Sequence, residues 1–383
     1  MAKTVSDKTR LILWTRAAGR CQYEGCNKSL LGDIISGAEG LNTAYVAHIV
    51  ARAPEGPRGD PVQSAQLADD IENVMLMCDT HHRLIDREEI AEHPEDRLRA
   101  MKRAHESRIA SVIDIQNDMG THLLLYGARI GEHDCPVNFD LSKQAVLPDR
   151  YPLEKQGIPL NMVGCSFHDH EQQYWDTHIK NLFLQFQGEV SNRIQRGLIE
   201  HVSVFALAPQ PLLIELGRLL SDIPAVDVFQ LHREPKTWSW QNDGPRIEFE
   251  TRQSAGDRQG KVIALKLALS ATVTDKRITD VLGDVPIWSI AAANPHNDIL
   301  RHRDDLGEFR ILLRQIFDRI KAQHGEDSEI HVFPVLPVSA AVEVGRAWMP
   351  KADLPLVIYD QVRGHGGFAN RLRIDTANKK EAA

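Results

Sequence analysis

The N-terminal stretch contains a short run, Tyr45 to Val50, in which apolar and polar positions alternate, with His48 near its end. Period-two alternation predicts a half-buried strand. Further on, Leu98, Met101, Ala104 and Ile109 recur at near-helical spacing behind Pro94, which predicts a helix. Its other face carries Arg97, Lys102, Arg103 and Arg108, which reads as a solvated face or as one that tracks phosphates. The pattern breaks at Asn117-Asp118-Met119-Gly120, and His122 to Ile130 reads as a strand. Residues 131–160 are rich in turn formers, including Pro136, Pro148, Pro152 and Pro159. Asp169 to Arg196 then reads as a long amphipathic helix. These breaks predict a first domain over 1–115, a second over 116–375 and a polar tail at 376–383.

The second region repeats itself. Val204-Phe205-Ala206-Leu207-Ala208-Pro209 matches Val332-Phe333-Pro334-Val335-Leu336-Pro337, and Glu215-Leu216-Gly217-Arg218 matches Glu343-Val344-Gly345-Arg346, at a constant offset of 128. Each copy reads as a buried strand, a proline-punctuated turn and a helix. A second apolar strand follows each, at Val226 to Leu231 and at Pro355 to Tyr359. A β-α-β unit occurring twice predicts two doubly wound α/β lobes, and an α/β class for the chain overall.

Composition excludes several classes. The 383 residues are 42% hydrophobic and 26% charged, normal for a globular chain and enough for more than one core. No apolar run approaches the roughly 18–20 residues of a membrane span, and no signal-peptide pattern opens the chain, so a cytoplasmic location without membrane attachment is expected. A net charge of −8 argues against a nucleic-acid coat protein but not against a small basic cleft. There is no Walker motif and no G-x-G-x-x-G after a strand, which argues against an ATPase motor. Five cysteines in an unexported chain argue against a disulfide framework. Three of them, Cys21, Cys26 and Cys78, sit near a cluster of histidines.

Cys21-x4-Cys26 and Cys78-x2-His81 are two short-spaced ligand pairs, the pattern of a closed tetrahedral structural Zn2+ site. Gly25 permits the tight turn of the first pair. Between the pairs lie His48 on its strand and Asn73, and after them His82-x3-Asp86 on a helix start. Together these residues resemble the HNH endonuclease family with its ββα-metal fold. In that reading His48 is the general base, since an imidazole titrates near neutral pH. Asn73 orients the imidazole, His82 binds a catalytic Mg2+ or Mn2+, and Asp86, four residues on along one helix face, supplies a carboxylate. Many family members carry an acidic metal ligand immediately before the first His; Ala47 stands there, so the carboxylate is assigned to Asp86. His81 and His82 could exchange the zinc and catalytic roles; the family's Cys-x-x-Cys-His pattern gives His81 to zinc. Arg52, Arg58 and Arg83 are candidates for phosphate contacts or for surface salt bridges.

In doubly wound folds ligands sit beyond the carboxyl ends of the strands, where the repeat places Pro209-Gln210-Pro211 and Pro337-Val338-Ser339 before helix N-termini that favour phosphate. Two such lobes suit a ligand of near-symmetry with several phosphates. The segments Val204 to Leu212, Leu231 to Pro235 with Trp238 and Trp240, and Trp348 to Asp353 resemble a SAVED domain, a sensor of two fused CARF-like halves. The whole chain is similar to the HNH–SAVED effector nucleases of bacterial CBASS anti-phage systems. The resemblance implies activation by a cyclic di- or trinucleotide from a partner nucleotidyltransferase, ligand-dependent homo-oligomerisation, and degradation of double-stranded DNA without strong sequence preference. Nominated ligand contacts are Gln210, His232, Arg233, Trp238, Ser339, Arg346 and Lys351. Trp238 stacks on a base or packs in the core; Arg346, like Arg218, recurs with the repeat and has a structural alternative. Two rivals remain: a restriction-like HNH nuclease whose C-terminal domain recognises modified DNA, and a non-enzymatic zinc-stabilised regulator.

Overall fold

The computed structural model describes residues 5–33, 38–42, 44–162, 165–221, 223, 225–253, 260–361 and 367–375; the tail expected at 376–383 lies outside them. The chain divides into two units, Met1–Asn117 and Asp118–Ala383.

The first unit runs through α1 (Asp7–Arg16), the antiparallel pair β1 (Leu31–Asp33) and β2 (Ala38–Asn42), β3 (Ala44–His48), α2 (Gln63–Leu67), β4 (Val74–Cys78), α3 (Asp79–Arg83) and α4 (Glu95–Ile113). Strands β3 and β4 pair antiparallel with Ala44 opposite Cys78 and His48 opposite Val74. Every residue of β4 is buried, which explains its unbroken apolar run. It packs among Leu13, Leu30, Ile49, Ile85, Leu98 and Met101. The helix expected behind Pro94 forms, but its buried stripe is Leu98, Met101, Lys102, His105 and Ile109, whereas Ala104 is exposed. Lys102 was expected on the outer face; it lies inside because Glu106 one turn on neutralises its ammonium while the stem packs. His105 Nε2 lies 3.1 Å from the Ala17 carbonyl oxygen, which satisfies a polar group in that stripe.

The second unit holds two sheets. Its first half contains β5 (Gly120–Gly127), α5 (Phe139–Val146), β6 (Tyr151–Pro152), β7 (Ile158–Pro159), α6 (Gln172–Phe186), which continues to α7 (Asn192–Gln195), then β8 (Val202–Leu207), α8 (Gln210–Leu219) and β9 (Val226–Val228). The order is β6-β5-β8-β9 with β7 also on β5, and every pair is parallel. The other half contains β10 (Phe249–Arg252), β11 (Val262–Ala268), α9 (Asp275–Leu282), β12 (Ile287–Ala292), α10 (Arg303–His324), β13 (Glu329–Val335), α11 (Val338–Ala347), β14 (Leu356–Gln361) and β15 (Phe368–Ile374). Its sheet runs β10-β12-β11-β13-β14-β15, parallel except for the antiparallel edge strands β10 and β15.

The repeated β-α-β units are β8-α8-β9 and β13-α11-β14. Helices α8 and α11 cross at the repeated glycines. A methyl on Gly217 would lie 1.9 Å from the Val342 carbonyl oxygen, and one on Gly345 would lie 1.9 Å from that of Ile214. Only glycine admits this backbone approach. Flanking each glycine, a glutamate pairs with an arginine three residues on: Glu215 with Arg218 at 2.6 Å and Glu343 with Arg346 at 2.5 Å. The repeat identities therefore encode a helix crossing. Both helices are buried nearly all round, which matches their apolar composition. Among the described residues no helix is long and apolar enough to cross a membrane.

Candidate functional site

The first unit brings together four soft donors. Cys21 and Cys26 sit on a knuckle after α1, turned by Gly25 at φ +75°. The knuckle is bonded to the sheet: Gln22 N donates to Leu76 O at 2.9 Å, and Leu76 N donates to Gln22 Oε1 at 2.8 Å. Cys78 ends β4 and stands at the N-cap of α3, which carries His81. The ligand atoms of Cys21, Cys26, Cys78 and His81 all lie within 4.8 Å of one another. His81 Nδ1 is 3.2 Å from Cys78 Sγ and 3.7 Å from Cys21 Sγ. A tetrahedral zinc ion with its usual bond lengths sets sulfur and nitrogen about 3.6 Å apart, so donor type, number and span all fit. Burial, with the neighbouring thiols adding to it, pushes the Cys21 thiol up to about 12. The His81 ring stacks on Tyr23 at 4.1 Å. The Tyr23 hydroxyl lies 3.0 Å from Nε2 of buried His93, whose Nδ1 is 2.8 Å from Glu89 O. Since a carbonyl only accepts, His93 Nδ1 carries the proton and Nε2 accepts from Tyr23.

A second group lies along the same β3-β4-α3 frame. His48 ends β3, and its Nε2 is 3.0 Å from the carbonyl oxygen of Ala68. That carbonyl requires a protonated Nε2, which leaves Nδ1 of the neutral ring with its lone pair. Asn73 is fully buried. It was expected to orient the imidazole. Its Oδ1 accepts from Val50 N at 2.9 Å, and its Nδ2 donates to Val50 O at 2.9 Å and Leu67 O at 3.2 Å. Asn73 thus acts through the backbone: it joins the chain just beyond His48 to the turn whose next carbonyl holds the imidazole. His82 Nε2 is 3.3 Å from Asp86 Oδ2, and its ring stacks on Tyr45 at 4.8 Å. The structure thereby separates the two adjacent histidines, His81 toward the thiols and His82 toward the carboxylate. One imidazole and one carboxylate oxygen suit a hard cation that keeps most of its waters. Among the described residues no third His, Cys, Asp or Glu joins them in a metal-sized cluster.

Of the three arginines named for phosphate, Arg52 is exposed and Arg83 pairs with Asp79. Arg58 is half-buried, with a side chain 9% exposed, and bonds Asp86 Oδ1 at 2.7 Å. A cavity of about 550 Å³ between the knuckle and α4 is lined by Tyr23, Arg97, Met101 and Arg108, and touches neither His48 nor His82.

In the second unit, most of the nominated ligand contacts are already engaged. Gln210 exchanges two hydrogen bonds with the backbone of Leu336, at 3.1 and 3.2 Å. Ser339 donates its N–H and hydroxyl to Gln230 Oε1, at 3.2 and 2.7 Å. These residues stitch the two halves together, because the helix N-termini beside the crossing face the opposite half. Arg346 is buried on Glu343. Trp238 is 2% exposed and packs edge-on against Phe205 at 5.4 Å, the core alternative rather than a stacking platform. His232 is fully buried, 3.5 Å from Asp298, and burial lowers its pKa despite that carboxylate. Arg233 and Lys351 remain exposed.

The open space beyond the strands is lined by other residues. A cavity of about 440 Å³ at the carboxyl end of β5 is bounded by Arg129, Cys135, Asn161, Cys165 and His178. Buried His178 has no partner at Nε2 among the described residues, and burial pushes its pKa down to about 4. A smaller cavity of about 210 Å³ at the ends of β11 and β12 is lined by Arg252, Lys266, Thr272 and Ser289. The position was readable from the fold rule for strand ends; these residues were not, since they lie outside the repeat.

A family model described as HNH endonuclease matches residues 34–91. One described as SMODS-associated and fused to various effectors sensor domain, SAVED, matches residues 184–374. No curated protein matches. Among solved structures, the Cap4 SAVED/CARF-domain containing receptor of Acinetobacter baumannii with the cyclic trinucleotide 2'3'3'-cAAA is similar at 11% identity and a TM-score of 0.40, over 73% of this chain and 60% of that one. With 3'3'3'-cAAA the same receptor gives 11% and 0.43 over the same shares. The Moraxella osloensis Cap4 SAVED/CARF-domain containing receptor gives 12% and 0.39, over 73% and 59%. The chain thus spans about 60% of the length of these receptors.

Proposed function

From a chain that carries an HNH endonuclease domain, and so hydrolyses phosphodiester bonds, ahead of a SAVED sensor domain, we propose a cyclic-oligonucleotide-gated DNase that serves as the effector of a CBASS-type anti-phage system. The observation that carries this reading is the combination, in one chain, of His48 and the His82–Asp86 pair on one β3-β4-α3 frame with a duplicated sensor. His48 takes the proton of the attacking water at Nδ1. Asn73 keeps the backbone around His48 in register. His82 and Asp86 hold a magnesium or manganese ion. Such an ion supplies positive charge to the oxygen that leaves phosphorus. Cys21, Cys26, Cys78 and His81 hold zinc, whose binding contributes folding free energy to the unit.

The substrate is double-stranded DNA, cut without strong sequence preference. The activator is a cyclic di- or trinucleotide made by a partner nucleotidyltransferase in the cytoplasm. It lies over the carboxyl ends of the strands, where the cavity beside Arg129, Asn161 and His178 offers room, with Arg129 Nε and His178 Nε2 lacking a hydrogen-bond partner among the described residues. Gating requires the ligand to favour one assembly state. Shifting a population from 1:99 to 99:1 takes about 5.5 kcal/mol of differential affinity, which contacts from one ligand to two protomers supply.

The test is plasmid cleavage by purified protein with magnesium, alone and with a panel of cyclic di- and trinucleotides. Cleavage should start only with one class of messenger, and particle size should rise with it. Equal plasmid loss with and without every panel member refutes the gating. His48→Ala should lose about 10²–10⁴-fold in cleavage rate while messenger still drives assembly; retained cleavage removes the base assignment.

A further inference from the structure

The loop after β3 folds back on itself. A methyl on Gly59 would lie 2.3 Å from the Pro54 carbonyl oxygen, and Ala51 N donates to Pro57 O at 3.2 Å. At its tip Arg58 takes a left-handed conformation, φ 56°, that residues with a Cβ adopt rarely. The turn drives the guanidinium inward. Nε donates to Ile49 O at 2.7 Å, and Nη1 donates to Ile85 O at 2.7 Å. Nη2 donates to Asp86 Oδ1 at 2.7 Å and reaches His48 O at 3.5 Å. One planar group therefore bonds the end of the strand that carries His48, the backbone after α3, and the carboxylate opposite His82. A phosphate contact needs exposed, uncommitted donors, and this side chain is only 9% exposed.

We propose that Arg58 is a positioning residue of the nuclease site, locking the Asp86 carboxylate against His82 and tying both to the backbone of His48. The inference rests on the reading of His82 and Asp86 as the divalent-ion site. With Oδ1 held by the guanidinium, Asp86 turns its other oxygen, Oδ2, toward His82. The donors of a guanidinium lie in a fixed plane, so the fork sets an angle as well as a distance. Lysine retains the charge but has no fork. Partners that orient metal ligands are typically worth 10–100-fold in metal affinity or activity.

The test uses the full-length, zinc-loaded protein and the variants Arg58→Lys, Arg58→Ala, Asp86→Asn and His82→Ala. Arg58→Lys should lower messenger-stimulated kcat by about 10–100-fold with the KM for DNA within about twofold. Manganese binding without DNA, read by electron paramagnetic resonance, should weaken by about tenfold. The double variant with Asp86→Asn should be no slower than Asp86→Asn alone, because both changes disable the same carboxylate. A melting measurement separates folding from function; if Arg58→Ala unfolds, the lysine variant decides. Wild-type kcat and manganese affinity in Arg58→Lys overturn the proposal, as does a defect confined to the KM for DNA. Fully additive losses in the double variant also overturn it. Full activity of Asp86→Asn and His82→Ala instead overturns the underlying metal-site reading, so the two failures are distinct.

Discussion

The crossing of α8 and α11 makes a prediction whose sign is informative. Gly217 lies inside a helix, where alanine ordinarily adds about 0.8–1 kcal/mol of stability. Here a methyl would meet the Val342 carbonyl oxygen at 1.9 Å, and a carbon–oxygen contact normally closes at about 3.3 Å. The helices must part by about 1.4 Å. The obstructing atom is backbone, so no rotamer change relieves it. Overpacking of this kind costs about 3 kcal/mol, so Gly217→Ala should destabilise the second unit by a net of about 2 kcal/mol. For a unit of this size that lowers Tm by about 4–8 °C. Gly345→Ala should behave alike, because its methyl would meet Ile214 O at the same distance. Gly307 in α10 is the control: nothing lies within 4 Å of its added methyl, so Gly307→Ala should stabilise by up to about 1 kcal/mol. The assay is thermal and urea unfolding of the full chain, followed at the second unit's transition. If Gly217→Ala gains stability as Gly307→Ala does, the backbone contact is not there and the account of the repeat is wrong.

Removing zinc with a strong chelator, or Cys78→Ser, should cost the first unit its cooperative melt, since the four clustered donors come from two segments that a proposed zinc ion would join. Protons compete for the Cys21 thiolate, raised to about 12 without metal, so zinc affinity should fall between pH 8 and 6; a pH-independent affinity by competitive chelation refutes the site. Asn73→Ala should destabilise the zinc-loaded first unit by about 3 kcal/mol, because both backbone groups of Val50 lose their partners; denaturant curves within about 0.5 kcal/mol of the parent would falsify this. Burial alone would raise the pKa of Asp227, but His201, Arg303 and Arg150 outweigh it and hold the carboxyl down at about 2. A folded-state pKa below the unfolded one contributes stability above about pH 4, lost as pH falls toward 2, here roughly 2 kcal/mol. Asp227→Asn should therefore lose stability at pH 7 and flatten the acid limb of the pH profile; an unchanged acid limb contradicts the ion cluster.

Much of this protein was written locally. The cluster of four soft donors was legible because Cys21 with Cys26, and Cys78 with His81, sit at spacings that one turn can close. The β3-β4-α3 frame was legible because alternation and an apolar run precede a charged helix start. The duplication was legible from the 128-residue offset alone, though not its reason. The helix behind Pro94 showed the limit: Ala104 and Lys102 exchanged the faces expected of them, since Glu106 supplies the charge that lets a lysine lie inside. In the second unit the limit is wider. Gln210 bonds a residue 126 positions away, and Ser339 bonds one 109 positions away, so both side chains join the two halves. Trp238 reads equally as a stacking platform or a core residue until Phe205 is beside it. Arg58 reads as a surface cation until Asp86 closes on it. Residue type and spacing determine which chemistry a chain can perform and which elements it forms, because those depend on neighbours in sequence. Which polar groups stay free to perform that chemistry is decided only when distant segments pack, because a buried donor must take whatever partner the fold brings within about 3 Å.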